Sequence, residues 1–337
     1  MALAVLTAPQ LAGAVVEGRV LLWAHRHGPR RYLVGGLLGL AVALVLGAVS
    51  PSAWVLGLAL ALAGPASGIA LSLSEGILSE SAPAERERMM TRWTLAGALG
   101  DLAAPLLIAL VAVWGGGWRW GMVVLAATCL VAALVMTRLP LPAIEHEDEN
   151  DGDVALVTSA LRRPRLLAWL VGGLACAFLD EILVALAALH LRLDLGASHE
   201  ATTRALMALS VVMTIRLFIT DRVLARTSAR TVLATSGIIC TLACAAWWWV
   251  ETPLGSGLVL FAIGLAGAPL FPIATARAYA AAPGKPALVA ALSQIFVPFE
   301  IGLPWLLGWL ADQLGLALTL MILAVQPITL LVLALAA

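Results

Sequence analysis

Long apolar stretches recur from one end of the chain to the other, each closed by a short cluster of polar and basic residues. An α-helix of about 20 apolar residues spans the hydrocarbon core of a bilayer. The pattern predicts eleven such helices, at 3–23, 32–50, 53–76, 93–113, 119–139, 165–190, 201–220, 231–250, 256–280, 288–311 and 315–336. Arg216 interrupts the stretch 201–220. The stretches are too continuous for barrel strands, which alternate apolar and polar positions over about ten residues. The predicted fold class is an all-α polytopic membrane protein with eleven visible transmembrane helices.

Composition agrees. Of 337 residues, 62% are hydrophobic and 12% charged, against about 25% charged in a soluble domain; mean hydropathy is +1.00. Twenty basic and twenty acidic residues cancel. These values exclude a soluble globule, a disordered chain and a basic nucleic-acid binder. Basic residues then set orientation. One set of loops holds fifteen, from Arg26, Arg30 and Arg31 through Arg86, Arg88 and Arg92 to Arg277 and Lys285, whereas the opposite loops hold Arg119, Arg192 and Arg204. The richer set is expected in the cytoplasm, together with the C-terminus. Trp54, Trp114, Trp118, Trp120 and Trp247 to Trp249 fall at predicted outer helix ends, Trp23 and Trp93 at inner ends, as an interfacial aromatic belt requires. The first helix lacks a basic leader and carries Glu17 and Arg19, so it does not read as a signal peptide. Nineteen arginines against one lysine suggest a GC-rich bacterial genome. The expected location is the plasma (inner) membrane of a bacterium.

The acidic run from Glu145 to Asp153 divides the chain. It reads as a solvated cytoplasmic linker, 140–164, between a five-helix half, 1–139, and a six-helix half, 165–337. Asp101-Leu102-Ala103-Ala104-Pro105 aligns with Glu300-Ile301-Gly302-Leu303-Pro304, 199 residues later, and Arg26 with Arg222, 196 residues later. Two parallel halves then match helix for helix, except that 165–190 has no partner. The expectation is a twelve-span plan without its first helix.

Six plus six helices around a polar central loop resemble the major facilitator superfamily. That family carries a Gly-x-x-x-Asp-Arg-x-Gly-Arg-Arg-type motif after its second helix. Here Arg26, Gly28, Arg30 and Arg31 fit it, Leu21 stands for the first glycine and His25 for the aspartate. The second-half copy keeps Asp221, Arg222 and Arg226 but has Leu224 for the later glycine. Gly117-Trp118-Arg119-Trp120 and Pro83-Ala84-Glu85-Arg86 also match in order and place. The resemblance implies two halves that rock around a midplane site, with these loop residues as a cytoplasmic gate. Simple positive-inside anchoring is the other reading, notably for Arg30 and Arg31. His25 puts a group that titrates near neutral pH where the family has a fixed charge.

Ionisable groups at membrane depth are costly unless they face a cavity or a partner. Asp180 and Glu181 are adjacent in the middle of 165–190. Two close carboxylates resist being charged together, which suits proton uptake and release. Asp101 and Glu300 occupy repeat-related positions, each four residues before a proline, and are open to protons, to cationic groups or to Arg216. Each of these acids has an alternative role in helix packing. Glu75 and Gln294 complete the predicted proton-coupling or substrate cavity. Glu17, Arg19 and Arg216 are membrane-embedded charges, read as gate or anchor. Gly100-x-x-x-Ala104-Pro105 loosely resembles a Gly-x-x-x-Gly-Pro antiporter signature.

No enzyme, metal or nucleotide motif stands out, and Cys129, Cys176, Cys240 and Cys244 all lie within apolar helices. The chain is therefore expected to be a secondary active transporter rather than an enzyme, with no cofactor. Proton-coupled export of a small organic molecule is the leading expectation. The alternatives are a proton-independent uniporter or importer, and a truncated, non-transporting membrane protein. The implied partners are the lipid bilayer, a small-molecule substrate and protons, with no nucleic acid, and the chain is expected to act as a monomer.

Overall fold

The computed structural model describes residues 2–115, 117–140, 153–179 and 181–336. These fold into helices: α1 Ala2–His27, then α2 Pro29–Ala48, α3 Ala53–Ser81, α4 Pro83–Val113, α5 Trp118–Arg138, α6 Pro164–Asp194, α7 His199–Leu224, α8 Ala229–Trp249, α9 Pro253–Ala280, α10 Pro286–Leu314 and α11 Leu316–Ala336. A short helix, Asp153–Leu161, precedes α6. The ten from α2 onward are each long and apolar enough to cross a membrane, and they coincide with ten of the predicted spans. Most of the acidic run lies outside the described residues.

Polar residues set the helix starts. The hydroxyls of Ser52, Ser198, Ser228 and Thr252 accept from backbone N–H groups of Val55, Ala201, Thr231 and Gly255 at 3.1–3.4 Å. Each satisfies one of the N–H groups that a helix start leaves without an internal partner. Between α1 and α2 the chain turns at Gly28, whose φ of 90° favours glycine, and Pro29 opens the next helix.

The described residues cluster into two compact units. Unit 1 takes 1–84, 103–163 and 282–298; unit 2 takes 85–102, 164–281 and 299–337. In unit 1, α3 packs against α1 and α2, and α2 against α5. A side chain at Gly36 would stand 2.9 Å from the Ala66 carbonyl oxygen, so the α2–α3 approach requires glycine there. Leu21, Leu33, Ile69, Leu73 and Ile77 form its core with Ala287 and Ala291 of α10. In unit 2, α8 packs against α11 and α9, and α7 against α9, around fully buried Leu260, Leu270 and Leu330. Large apolar side chains such as Leu106, Val131 and Leu254 point outward, which water would penalise and lipid accommodates.

Two sequence expectations are corrected. The stretch 165–190 is not one regular helix. It is α-helical to Ala175, tightens to a 3-10 turn at Cys176–Leu179, resumes at Glu181–Leu189 and ends in a π turn at His190–Asp194. The Leu179 N–H bonds to the side-chain oxygen of buried Gln326 at 2.9 Å, a tertiary partner at the end of the 3-10 turn. The second correction concerns Trp247, which is 1% exposed and meets His190 edge-on at 5.4 Å between ring centroids. Three consecutive tryptophans point in different directions, so one turns into the core while Trp248 and Trp249 stay exposed.

Candidate functional site

Unit 2 carries an open cavity of about 700 Å³, and every described residue lining it belongs to that unit. Asp101 reaches it from α4, Glu181 from α6 just after the 3-10 turn, and Glu300 from α10. The structure thus brings the two repeat-related acids and one of the adjacent pair onto a single surface, all three exposed. Asp180 lies outside the described residues. Among the described residues, no ion pair or hydrogen bond engages the three carboxylates.

The remaining lining is mixed. Ser210 and Thr214 of α7 donate to their own helix, to the Leu206 and Ser210 carbonyls at 3.2 and 2.9 Å, leaving oxygen lone pairs free to accept. Trp93 of α4 and Phe271 of α9 add aromatic faces, and Gln326 of α11 adds an amide. Sequence reasoning assigned Trp93 to the interfacial belt and passed over Phe271 and Gln326. A glutamine inside the last apolar helix, beside Pro327, was a readable signal for the last of these.

Other predicted site residues lie elsewhere. Arg216 does not line the cavity and forms no ion pair with its acids; its Nε is buried without a hydrogen-bond partner among the described residues. Glu75 and Gln294 belong to unit 1 and do not line this cavity. The Glu75 Oε1 is buried without a hydrogen-bond partner among the described residues, and Gln294 packs beside Gly18. Glu17 is buried, its carboxylate seated where Gly13 and Gly68 leave room, while Arg19 is exposed.

The charged loop residues form local ties. In unit 2, Asp221 at the end of α7 accepts from Arg92 Nε at 2.9 Å and from Arg88 Nε at 3.3 Å. Arg88 also pairs with Glu85 at 2.8 Å, and Arg277 of α9 with Glu87 at 3.2 Å. The arginines that meet Asp221 therefore come from α4. Arg222 instead lies over the Phe218 ring at 3.6 Å and donates to the Phe218 carbonyl, and Arg226 is exposed. In unit 1, Arg30 donates to the Leu139 carbonyl at the end of α5, and Arg31 lies over Tyr32 at 5.2 Å. His25 is half-buried and Arg26 exposed. Among the described residues, no three histidines, cysteines or carboxylates gather as metal ligands.

Solved structures resemble this fold. No curated protein matches the chain in sequence. The crystal structure of the E. coli fucose:proton symporter FucP is similar, with TM-score 0.81 and 15% identity, covering 99% of this chain and 90% of that one. The human organic anion transporter MFSD10 gives 0.73 and 18%, covering 98% and 82%. The proton:xylose symporter XylE gives 0.70 and 14%, covering 98% and 83%. At such identities these likenesses establish the fold alone. The family model of the Major Facilitator Superfamily matches residues 1–299. With that match across most of its length, and with a fold of apolar helices to go with it, the chain belongs to the major facilitator superfamily of membrane transporters.

Proposed function

We propose that the protein is a secondary active transporter that couples proton movement to export of a small organic molecule by alternating access. The observation that carries this reading is the convergence of Asp101, Glu181 and Glu300 on one cavity, from three helices of a membrane-embedded unit. Carboxylates at membrane depth exchange protons when the surrounding cavity opens to one side and then the other. Asp180, next to Glu181 in sequence, belongs to the same proton-coupling set. Glu75 and Gln294, in the other unit, are proposed to serve the same cycle. Asp221 with its α4 arginines, together with His25, Arg26, Gly28, Arg30, Arg31, Arg222 and Arg226, forms the cytoplasmic gate. Glu17, Arg19 and Arg216 are membrane-embedded charges that support it. The protein acts as a monomer in the plasma (inner) membrane, with its C-terminus in the cytoplasm.

A second reading, proton-coupled import, has support from two fold relatives that are named as proton symporters. The test is solute-dependent proton flux in proteoliposomes loaded with a pH-sensitive dye. A panel of neutral, anionic and cationic organic solutes is presented under an imposed pH gradient. Export predicts that solute and protons move in opposite directions, and that Asp180→Asn with Glu181→Gln abolishes the coupling. Co-directional movement would establish import, and flux indifferent to the gradient would remove the proton from the mechanism.

A further inference from the structure

Cys240 and Cys244 stand one turn apart on α8, so their side chains share a face. Both are 0% exposed, and neither is in a disulfide. The Cys176 thiol, by contrast, bonds to a carbonyl of its own helix, that of Gly172 at 3.3 Å. The Cys240 thiol hydrogen-bonds to that of Cys244, which sets the two sulfurs side by side.

A second observation lies one turn earlier on the same face. Ser236 is 2% exposed, and its Oγ is buried without a hydrogen-bond partner among the described residues. A serine or threonine within a helix commonly donates to a carbonyl of the preceding turn, as Ser210 and Thr214 do. Ser236 does not, and a buried hydroxyl left in this way calls for a partner on a ligand.

The third observation is the nearness of the cavity. Gly267 of α9 lines it, and a Cβ at that position would lie 3.7 Å from Cys240 Sγ. One residue without a side chain thus separates the thiol from the cavity. The α-helix of α9 also stops at Gly267 and resumes at Leu270, across Pro269. Proline has no N–H to continue the helical ladder, so fewer hydrogen bonds hold the wall over Cys240.

The α8 face therefore offers two adjacent soft donors and one hydroxyl, and thiols select soft ions. A linear, two-coordinate ion such as Hg(II) sets its two sulfurs far apart on opposite sides. Trivalent arsenic is pyramidal: it holds two sulfurs close together and keeps a third ligand of its own. We infer that Cys240, Cys244 and Ser236 form a capture site for trivalent arsenic. In the reaction with arsenous acid, two As–O bonds break and two As–S bonds form. The two thiol protons leave with the two hydroxides as water, and arsenic is neither oxidised nor reduced. The hydroxyl that stays on arsenic bonds to Ser236 Oγ. Capture at this site is independent of proton coupling and of the direction of transport.

The test uses the purified full chain in detergent, reduced and then freed of reductant. The probes are arsenite and methylarsonous acid, in which a methyl group replaces one hydroxyl. Intact-mass spectrometry should show one methylarsenic group per chain with loss of two thiol hydrogens. Peptide mapping should place it across Cys240 and Cys244. The dithiol dimercaptopropanol should remove it, and the monothiol mercaptoethanol should not. Cys129→Ser/Cys176→Ser should keep the adduct, whereas Cys240→Ser and Cys244→Ser should each weaken binding by about tenfold or more. Ser236→Ala should weaken arsenite about fivefold, the worth of one hydrogen bond, and leave methylarsonous acid within about twofold. Mapping on the unaltered chain decides the matter even where a cysteine variant misfolds. No adduct, an adduct on Cys129 or Cys176, or removal by the monothiol overturns the inference. So does a folded Cys240→Ser or Cys244→Ser variant that keeps its affinity. An unchanged arsenite affinity in Ser236→Ala overturns the place given to the hydroxyl.

Discussion

Arg92 Nε and Asp221 Oδ1 lie 2.9 Å apart although 129 residues separate them in the chain. Asp221 holds Arg88 as well, and the Asp221 and Arg88 side chains are only 19% and 23% exposed. A partly buried tie of this kind is worth on the order of 1 kcal/mol, enough to bias a two-state rocking motion by about fivefold. Asp221→Asn is expected to change transport rate by about that factor. Exchanging the charges, with Asp221→Arg and Arg92→Asp together, should recover part of the rate. Unchanged flux in Asp221→Asn would reduce the cluster to anchoring.

The Gln326–Leu179 bond predicts a stability effect with a direction. Gln326→Leu removes the side-chain acceptor of the buried Leu179 N–H, at a cost of about 1–3 kcal/mol. The thermal unfolding midpoint should fall by roughly 2–10 °C. Gln326→Glu keeps an acceptor oxygen at the same reach and should retain more of the midpoint than Gln326→Leu. If Gln326→Leu unfolds with the unaltered protein, the 3-10 turn does not depend on this bond.

Glu17 and Gly68 form a coupled pair on α1 and α3. A methyl group at 68 would fall on the Glu17 carboxylate. Gly68→Ala should therefore lower the midpoint, and Glu17→Ala should relieve most of that loss. The double-mutant interaction should exceed about 0.5 kcal/mol. Additive effects would mean that Glu17 swings clear of α3 at no cost.

Orientation is testable by fusions. The basic loops predict a cytoplasmic C-terminus. A fluorescent protein after Ala337 should fluoresce, and alkaline phosphatase at the same place should be inactive. Phosphatase inserted between α4 and α5 should be active. The opposite pattern would reverse the assigned topology.

Ten spans were legible because transfer into lipid depends on local composition: about 20 apolar residues define a helix whatever surrounds them. Helix starts carry an equally local signal, in Ser52, Ser198, Ser228 and Thr252, which was not singled out beforehand. The Asp101 and Glu300 positions were legible as a repeat. Other features had no local signature. The partner of Asp221 lies on α4, the cap on Leu179 comes from the last helix, and Trp247 turns inward while its two neighbours do not.

By itself the sequence determined the membrane class, ten of the spans and their order, the family and the acids that stand out within the apolar stretches. Each of these follows from the residue's own chemistry, from its near neighbours or from a motif with fixed spacing. Only the tertiary structure decided which acids share a cavity. Asp101, Glu181 and Glu300 meet because three helices distant in sequence pack in one unit, while Glu75 and Gln294 fall in the other. It alone decided, too, that no basic residue joins them among the described lining and that Gln326 turns its oxygen to Leu179. Hydrophobicity selects which segments enter the bilayer. Side-chain packing and the demand that buried donors find acceptors select how those segments face one another.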